Sequence, residues 1–475
     1  MVHQSSGGAG FTLRDGTSLW DLVDVDAREV STRVLTDPEI YQIEQERIFG
    51  QTWTVVAHES EIPSKGDFVT RHIGEDPVIV SRDSKGDVQV LLNSCTHRGV
   101  KVCRAESGNS RQFQCPYHGW AFDGRGGFLG APIAREQMHG QIRTKAELSL
   151  RRAKTANYAG MIFATFNENA EAFDDYLGDI RWYLDLMFDR TDDGLEVLGA
   201  PQRFLIPTNW KCPGEQHAGD GFHALTLHSS LLDMFQADAG PDEAFQGGLN
   251  ISWNGHGLRC IDNRKAVYDS VAALGADNEA DPLVKLGKVP LGINQDQVRA
   301  LANRFSPEAL RVLADFPPQV GGLFPNMGVF SNPAPLPDGP PAYKMVWHAF
   351  VPRGPRQIEF FNWYLVDKKC ADEERERISR AATMSFGVSG FVEQDDAEMW
   401  PSMTEASSGY YGRKGKLRYQ AIGQEGKPAG WPGGAKVYEG FGKDDNQWNW
   451  WLRWADLMSR SPAAVSSEQY REAAE

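Results

Sequence analysis

Two short stretches of the chain each offer one thiol and one imidazole: Cys95-Thr96-His97-Arg98 and Cys115-Pro116-Tyr117-His118-Gly119-Trp120. The 17 residues between His97 and Cys115 are enough for strands that bring the second stretch round to face the first. Thiolates select soft or borderline metals, and imidazole can replace thiolate on one iron of a two-iron cluster. With Cys95 and Cys115 on one iron and His97 and His118 on the other, the cluster has less negative charge than an all-thiolate one. Its reduction potential rises accordingly, which suits it to accept electrons from ferredoxins. The rival is a structural zinc site with two Cys and two His ligands, but zinc fingers usually group Cys with Cys and His with His.

A second polar cluster runs from Asn209-Trp210-Lys211 through Gln216, His217 and Asp220 to His223, Ala224 and His228. His223 and His228 are five residues apart, so on a regular helix they diverge by about 140°. A shared metal needs an irregular helix, through a wide turn or a π-bulge. Far downstream, Phe391-Val392-Glu393-Gln394-Asp395-Asp396-Ala397-Glu398 offers adjacent carboxylates, which alone read as an exposed acidic run.

These residues need two different scaffolds. From about Trp53 to Phe166 the chain carries short β-type runs, such as Asp67–Thr70, Pro77–Val80 and Val88–Leu92, divided by Gly, Asp and Ser turns. This predicts a small all-β domain. Before it, Asp37 caps and Gly50 ends a helix with Pro38 in its first turn, and the Gly/Ser-rich first fifteen residues read as loose. Beyond residue 167, helices (Ala172–Phe188, one opening at Ser306-Pro307-Glu308, Ala371–Met384) alternate irregularly with strands. Tyr343–Val351 and Gln357–Val366 read as a hairpin around Pro352-Arg353-Gly354-Pro355. The fold class is therefore α+β, not a doubly wound sheet. No Gly-rich phosphate loop is present, so no nicotinamide or nucleotide is expected on this chain.

Length and composition agree. At 475 residues the chain calls for two or three domains, and 41% apolar content supports sizeable cores. The net charge of −15 argues against nucleic acid and anionic membrane as partners. No apolar run approaches the length needed to span a bilayer, and MVHQSSGGAG lacks a secretory pattern. Six cysteines are too few for a disulfide framework and fit a cytoplasmic protein.

The first pair of stretches resembles the Rieske [2Fe–2S] motif, C-x-H…C-x2-H, and Cys103 is a single spare cysteine, which points to the oxygenase type. With Asn-Trp-Lys ahead of the two histidines, the chain from about 37 to 460 resembles the large (α) subunit of Rieske non-heme iron aromatic-ring-hydroxylating dioxygenases. That resemblance implies an N-terminal segment (1–50) packed with the catalytic domain, a Rieske domain (51–170) and a helix-grip catalytic domain (171–475) with a curved antiparallel sheet. It implies a [2Fe–2S] cluster on Cys95, His97, Cys115 and His118, and Fe(II) on His223, His228 and Asp396, with Asp395 the competitor for the carboxylate position. Asp220 matches the carboxylate that orients His223 and bridges to His118 of a neighbouring subunit.

By position, Gln216, His217, Ala224, Val320, Phe330, Phe386 and Val392 are expected to line the substrate pocket, with ordinary core as the alternative for each. Two positions depart from the family pattern: Gln216 stands where Asn is common and Phe222 where Tyr is. The implied reaction is cis-dihydroxylation of an aromatic ring by O2, with electrons from NADH through a reductase and ferredoxin. The implied assembly is an α3β3 hexamer with a small β subunit, or else an α3 trimer. The rival readings are a monooxygenase, demethylase or deaminase of the same build, a Rieske electron carrier without catalytic iron, and a partner-binding surface on the aromatics Trp448, Trp450, Trp451 and Trp454.

Overall fold

The computed structural model describes residues 10–132, 145–229, 247–264, 282–286 and 295–460. The first nine residues and the tail beyond 460 lie outside the described residues. Residues 10–15, expected to be loose, are packed: Phe11 and Leu13 are buried, and Thr12 bridges to Ser18. Two apolar side chains two positions apart anchor that segment despite its Gly/Ser-rich neighbours. The described chain divides into two units, residues 43–173, and residues 10–42 together with 174–460.

The smaller unit is built of short antiparallel strands. Asp67–Ile73, Asp76–Arg82 and Val88–Leu92 are successive neighbours, and Ser107–Asn109 adds to the open edge of the first. Ile73 pairs with Asp76, which leaves a two-residue turn whose Gly74 has φ +55°. That backbone hand matches the strand twist and is cheap only for glycine and a few polar residues. Lys154–Tyr158, Met161–Thr165 and Thr54–His58 form a second sheet, and Gln112–Gln114, Ala121–Asp123 and Phe128–Gly130 a third. Phe68, Ile79, Leu91, Phe113, Trp120 and Phe122 pack into one core with Cys95 and Cys115.

The larger unit carries a nine-stranded antiparallel sheet. Its strands are β1 (Leu195–Val197), β2 (Gln202–Ile206), β3 (Leu249–Trp253), β4 (His256–Cys260), β5 (Pro318–Leu323), β6 (Met327–Leu336), β7 (Gly339–Pro352), β8 (Ile358–Asp367) and β9 (Lys436–Glu439). Their order is β1-β8-β7-β6-β5-β4-β3-β9, with β2 also pairing β8. Four helices matter for the site: α1 (Lys211–Gly219), α2 (Asp372–Phe386), α3 (Glu393–Ser408) and α4 (Asp445–Ser459). Helix α1 packs on β4, β5 and β6, α2 on β6 to β8, and α4 on α1, β3 and β4. All of β8 and most of β7 are buried, so both faces of the sheet are covered there. This explains near-continuous apolar runs where a half-exposed strand would alternate.

The structure alters three expected elements. The helix predicted over Ala172–Phe188 is two, Phe173–Leu177 and Ile180–Phe188. At the break, Gly178 has φ +45° and lies against the Trp253 indole, where a Cβ would come within 2.1 Å of Nε1. The Pro38 helix changes to a π turn over Gln45–Phe49 before Gly50. Trp448, Trp450, Trp451 and Trp454 of α4 are all buried within their own unit, so they form core and not a partner surface. No helix among the described residues is long and apolar enough to cross a membrane.

Candidate metal centres

In the smaller unit the two Cys/His stretches are folded alike. The Cys95 N–H donates to Val100 O and Gly99 N–H returns to Cys95 O; likewise Cys115 N–H donates to Trp120 O and Gly119 N–H returns to Cys115 O. Gly99 and Gly119 have φ +74° and +71°, so each loop turns back through the same left-handed residue. The two loops are thus near copies, presenting buried thiols inward and half-buried imidazoles outward. The His97 and His118 rings are 4.6 Å apart, and His97 stacks on buried Trp120 at 4.7 Å and 5°. Burial pushes the Cys95 thiol above its usual range, as does the neighbouring Cys115 sulfur, while main-chain N–H groups of His97 and Arg98 oppose it. Such N–H groups favour a sulfur that carries negative charge.

In the larger unit, α1 ends at Gly219, Asp220 is extended with ψ 100°, and His223–Leu225 forms a single 3-10 turn. The expected wide turn or π-bulge is therefore a full break in the helix. Gly219 and Gly221 permit it, because a Cβ on either would come within 2.6 Å of the chain around Phe441 or Gln447. The break swings His223 and His228 to one side, their ring centroids 5.1 Å apart. Asp396, in the first turn of α3, meets both: Oδ1 lies 3.7 Å from His223 Nε2 and Oδ2 lies 3.5 Å from His228 Nε2. One ligand atom from each of the three falls within 4.8 Å of the others.

The far side of each imidazole has its own carboxylate. His223 Nδ1 lies 3.4 Å from Asp220 Oδ1, and His228 Nδ1 lies 3.1 Å from Asp395 Oδ2. Asp220 Oδ1 also accepts the N–H groups of Phe222 and His223 at 3.0 and 3.2 Å. Burial opposes the charge on Asp396, yet its bonds to the imidazoles win and hold the carboxyl below its usual range. Burial likewise opposes the charge on His228, and Asp396 and Asp395 still raise it. Burial keeps the His217 ring neutral, down to about 4, with Nδ1 donating to Pro213 O at 2.8 Å.

A cavity of about 410 Å³ opens beside His223, His228 and Asp396. All seven residues expected to line a pocket border it: Gln216, His217, Ala224, Val320, Phe330, Phe386 and Val392. Its volume is in the range of small-molecule sites.

Comparison with known proteins is consistent with this geometry. Residues 52–148 match the Rieske [2Fe-2S] domain, and residues 173–426 match the catalytic domain of the ring hydroxylating alpha subunit. The chain belongs to the ring-hydroxylating α-subunit family. It is 32% identical to the N,N-dimethyl phenylurea N-demethylase subunit alpha of Sphingobium sp. (strain YBL2), over 95% of this chain and 98% of that one. It is 33% identical to the benzene 1,2-dioxygenase subunit alpha of Pseudomonas putida, over 82% of each chain. Naphthalene 1,2-dioxygenase from Rhodococcus sp., solved with indole bound, superposes with a TM-score of 0.80 at 34% identity, covering 93% of this chain and 96% of that one.

This oxygenase α subunit thus has a Rieske [2Fe–2S] domain and a catalytic domain of the kind that binds mononuclear iron. The residues present fit both groups. Two facing thiols and two outward imidazoles on paired loops suit the cluster, and a converging set of two imidazoles and one carboxylate suits a metal with open positions. Of the departures from the family pattern, Gln216 reaches the centre: its Nε2 donates to Asp396 Oδ1 at 2.7 Å and its Oε1 accepts from Trp400 Nε1. Phe222 is exposed and does not border the cavity.

Sequence reasoning treated Asp395 only as a competitor for the ligand position. It also missed Lys344 and Asn332, which border the cavity from β7 and β6. One signal was available: Lys344 interrupts the apolar run from Tyr343 to Val351, on the same parity as His348.

Proposed function

We propose that this oxygenase α subunit dihydroxylates an aromatic ring, adding both atoms of O2 with two electrons and two protons to give a cis-dihydrodiol. The observation that carries this reading is the convergence of His223, His228 and Asp396 on the wall of a cavity bordered by Phe330, Phe386, Val320 and Val392. His223, His228 and Asp396 hold Fe(II), and Cys95, His97, Cys115 and His118 hold the [2Fe–2S] cluster. When bound, the iron supplies O2 activation and the cluster supplies electrons.

The chain's own residues do the rest. Asp220 and Asp395 each fix an imidazole through its second nitrogen, a role that orients a metal-bound histidine and raises its basicity. Gln216 fixes one oxygen of Asp396. The apolar walls turn the flat face of a ring toward the triad and exclude water. Asp220, which is only partly buried, links the centre to the cluster of a neighbouring chain through that chain's His118. A reductase with a ferredoxin delivers electrons from NADH, and the working assembly is an α3β3 hexamer with a small β subunit in the cytoplasm. The domains follow the limits 1–50, 51–170 and 171–475.

N-demethylation is the second reading, favoured by the phenylurea demethylase relative that aligns along 95% of this chain. Assay with 18O2 separates the two: a dihydrodiol carries two labelled oxygens, whereas demethylation leaves no label on the ring. His223→Ala removes the mononuclear iron and the product while the Rieske spectrum persists, leaving two irons per chain in place of three. Unchanged turnover by His223→Ala rules out this centre.

A further inference from the structure

The cavity is apolar in the middle and polar at both ends, with Gln216, His217, Arg259 and the triad at one and Asn332 and Lys344 at the other. Strands β6 and β7 pair in register as Gly328 with His348, Phe330 with Val346, and Asn332 with Lys344. His217 lies at the Gly328 end, where a Cβ on residue 328 would come within 2.4 Å of its ring. Four residues further along β6, about 14 Å at roughly 3.4 Å each, the strand pair presents Asn332 and Lys344 to the same cavity. Between these ends stand Phe330, 5.4 Å from His217, and Phe386, 4.7 Å from Phe330. Lys344 Nζ lies 5.0 Å from the centre of the Phe386 ring. Lys344 thus flanks the Phe386 ring that lines the middle of the same cavity.

Lys344 is only 3% exposed, and among the described residues the hydrogen bond of its side chain runs from Nζ to Asn332 Oδ1. No described carboxylate pairs with it; burial disfavours its charge, and the Phe386 ring is its other neighbour. An ammonium group buried with one of three donors engaged is costly unless something else completes its shell. Asn332 spends its oxygen on Lys344, so its Nδ2 is left to donate. This end of the cavity therefore holds donors and one uncompensated cation site. Such a set suits a group with two oxygens and a negative charge, and it rejects groups that bring N–H donors.

Resting on the oxygenase reading above, we propose that Lys344 and Asn332 bind a carboxylate on the aromatic substrate, at the end remote from the carbons that are oxidised. The substrate class is then an aromatic acid spanning the cavity, with its ring held between Phe330, Phe386 and the triad. Lys344 is a specificity-determining residue, because charge-assisted hydrogen bonds from a buried lysine discriminate by about ten- to a hundredfold against a neutral analogue.

The test is anaerobic calorimetric titration of the purified holoenzyme with biphenyl-4-carboxylate, 2-naphthoate and the methyl ester of each. The wild type is expected to bind the acids at least tenfold more tightly than the esters. In Lys344→Met, which keeps the length of the chain and removes the charge, that ratio falls to about one or below. Asn332→Asp gives Lys344 an internal partner and abolishes the preference while retaining the amine. Iron content and the Rieske spectrum report the folding of both variants independently. Esters that bind the wild type as tightly as the acids overturn the proposal, as does a preference that survives in Lys344→Met. Product analysis on the same pairs keeps the two readings apart. Tight acid binding without an oxygenated product counts against the dihydroxylation alone, and oxygenation of biphenyl with no acid preference counts against the carboxylate site alone.

Discussion

Asp395 is the residue whose assigned role the structure changes most, and its removal makes a quantitative test. Its Oδ2 lies 3.1 Å from His228 Nδ1, while Asp396 takes the Nε2 side of both imidazoles. Losing the outer partner of a metal-bound histidine costs about 10–100-fold in metal affinity, or about 1.4–2.7 kcal/mol. The Asp395 side chain is 36% exposed against 7% for His228, so water competes for this bond and the lower end applies. Asp395→Ala should weaken Fe(II) binding about tenfold. Asp395→Asn keeps an acceptor without the charge and should cost roughly threefold, because neutral hydrogen bonds have about half the strength of charge-assisted ones. Asp396→Ala removes the proposed carboxylate ligand and should leave the centre without iron. The assay is titration of the iron-depleted mononuclear site with Fe(II), scored by metal analysis, with the Rieske absorbance as internal standard. Affinity within twofold of wild type in Asp395→Ala would refute the orienting role. Iron retained in Asp396→Ala but lost in Asp395→Ala would reverse the assignment of the two acids.

Two further outcomes follow from the cavity. Burial holds the Lys344 amine down to about 7; facing it are Asn332 and Phe386, which do not titrate, and on its own strand His348, which burial keeps neutral. A carboxylate binds the protonated amine, so affinity for 2-naphthoate should be level below that pH and fall about tenfold per unit above it, with the methyl ester unaffected; a flat profile for the acid contradicts this. Gly328→Ala places a Cβ 2.4 Å from the His217 ring, and overpacking of this kind costs about 1–3 kcal/mol. Thermal unfolding should show that loss, and an unchanged Tm would mean that His217 moves freely.

The chemistry of this protein was largely legible in its residues. Cysteine and histidine at fixed short spacings are local patterns, and the return of each loop depends on a glycine four residues after its cysteine, at Gly99 and Gly119. The hairpin Gly339–Pro352 to Ile358–Asp367 was legible for the same reason, since strands and turns are written in neighbouring residues. What the sequence left open depends on separations of more than a hundred residues. His228 and Asp395 are adjacent only because a helix break at Asp220 and the first turn of α3 meet in space. Their order along the chain does not say which of two neighbouring aspartates turns inward. A helix rotates by about 100° per residue, so one step along α3 decides which carboxylate faces both imidazoles and which supports one from behind. Lys344 was open for a different reason: a single lysine in an apolar strand could reach solvent or end in a cavity. Only the register of β6 on β7, with both faces of the sheet covered, buries its charge opposite Asn332.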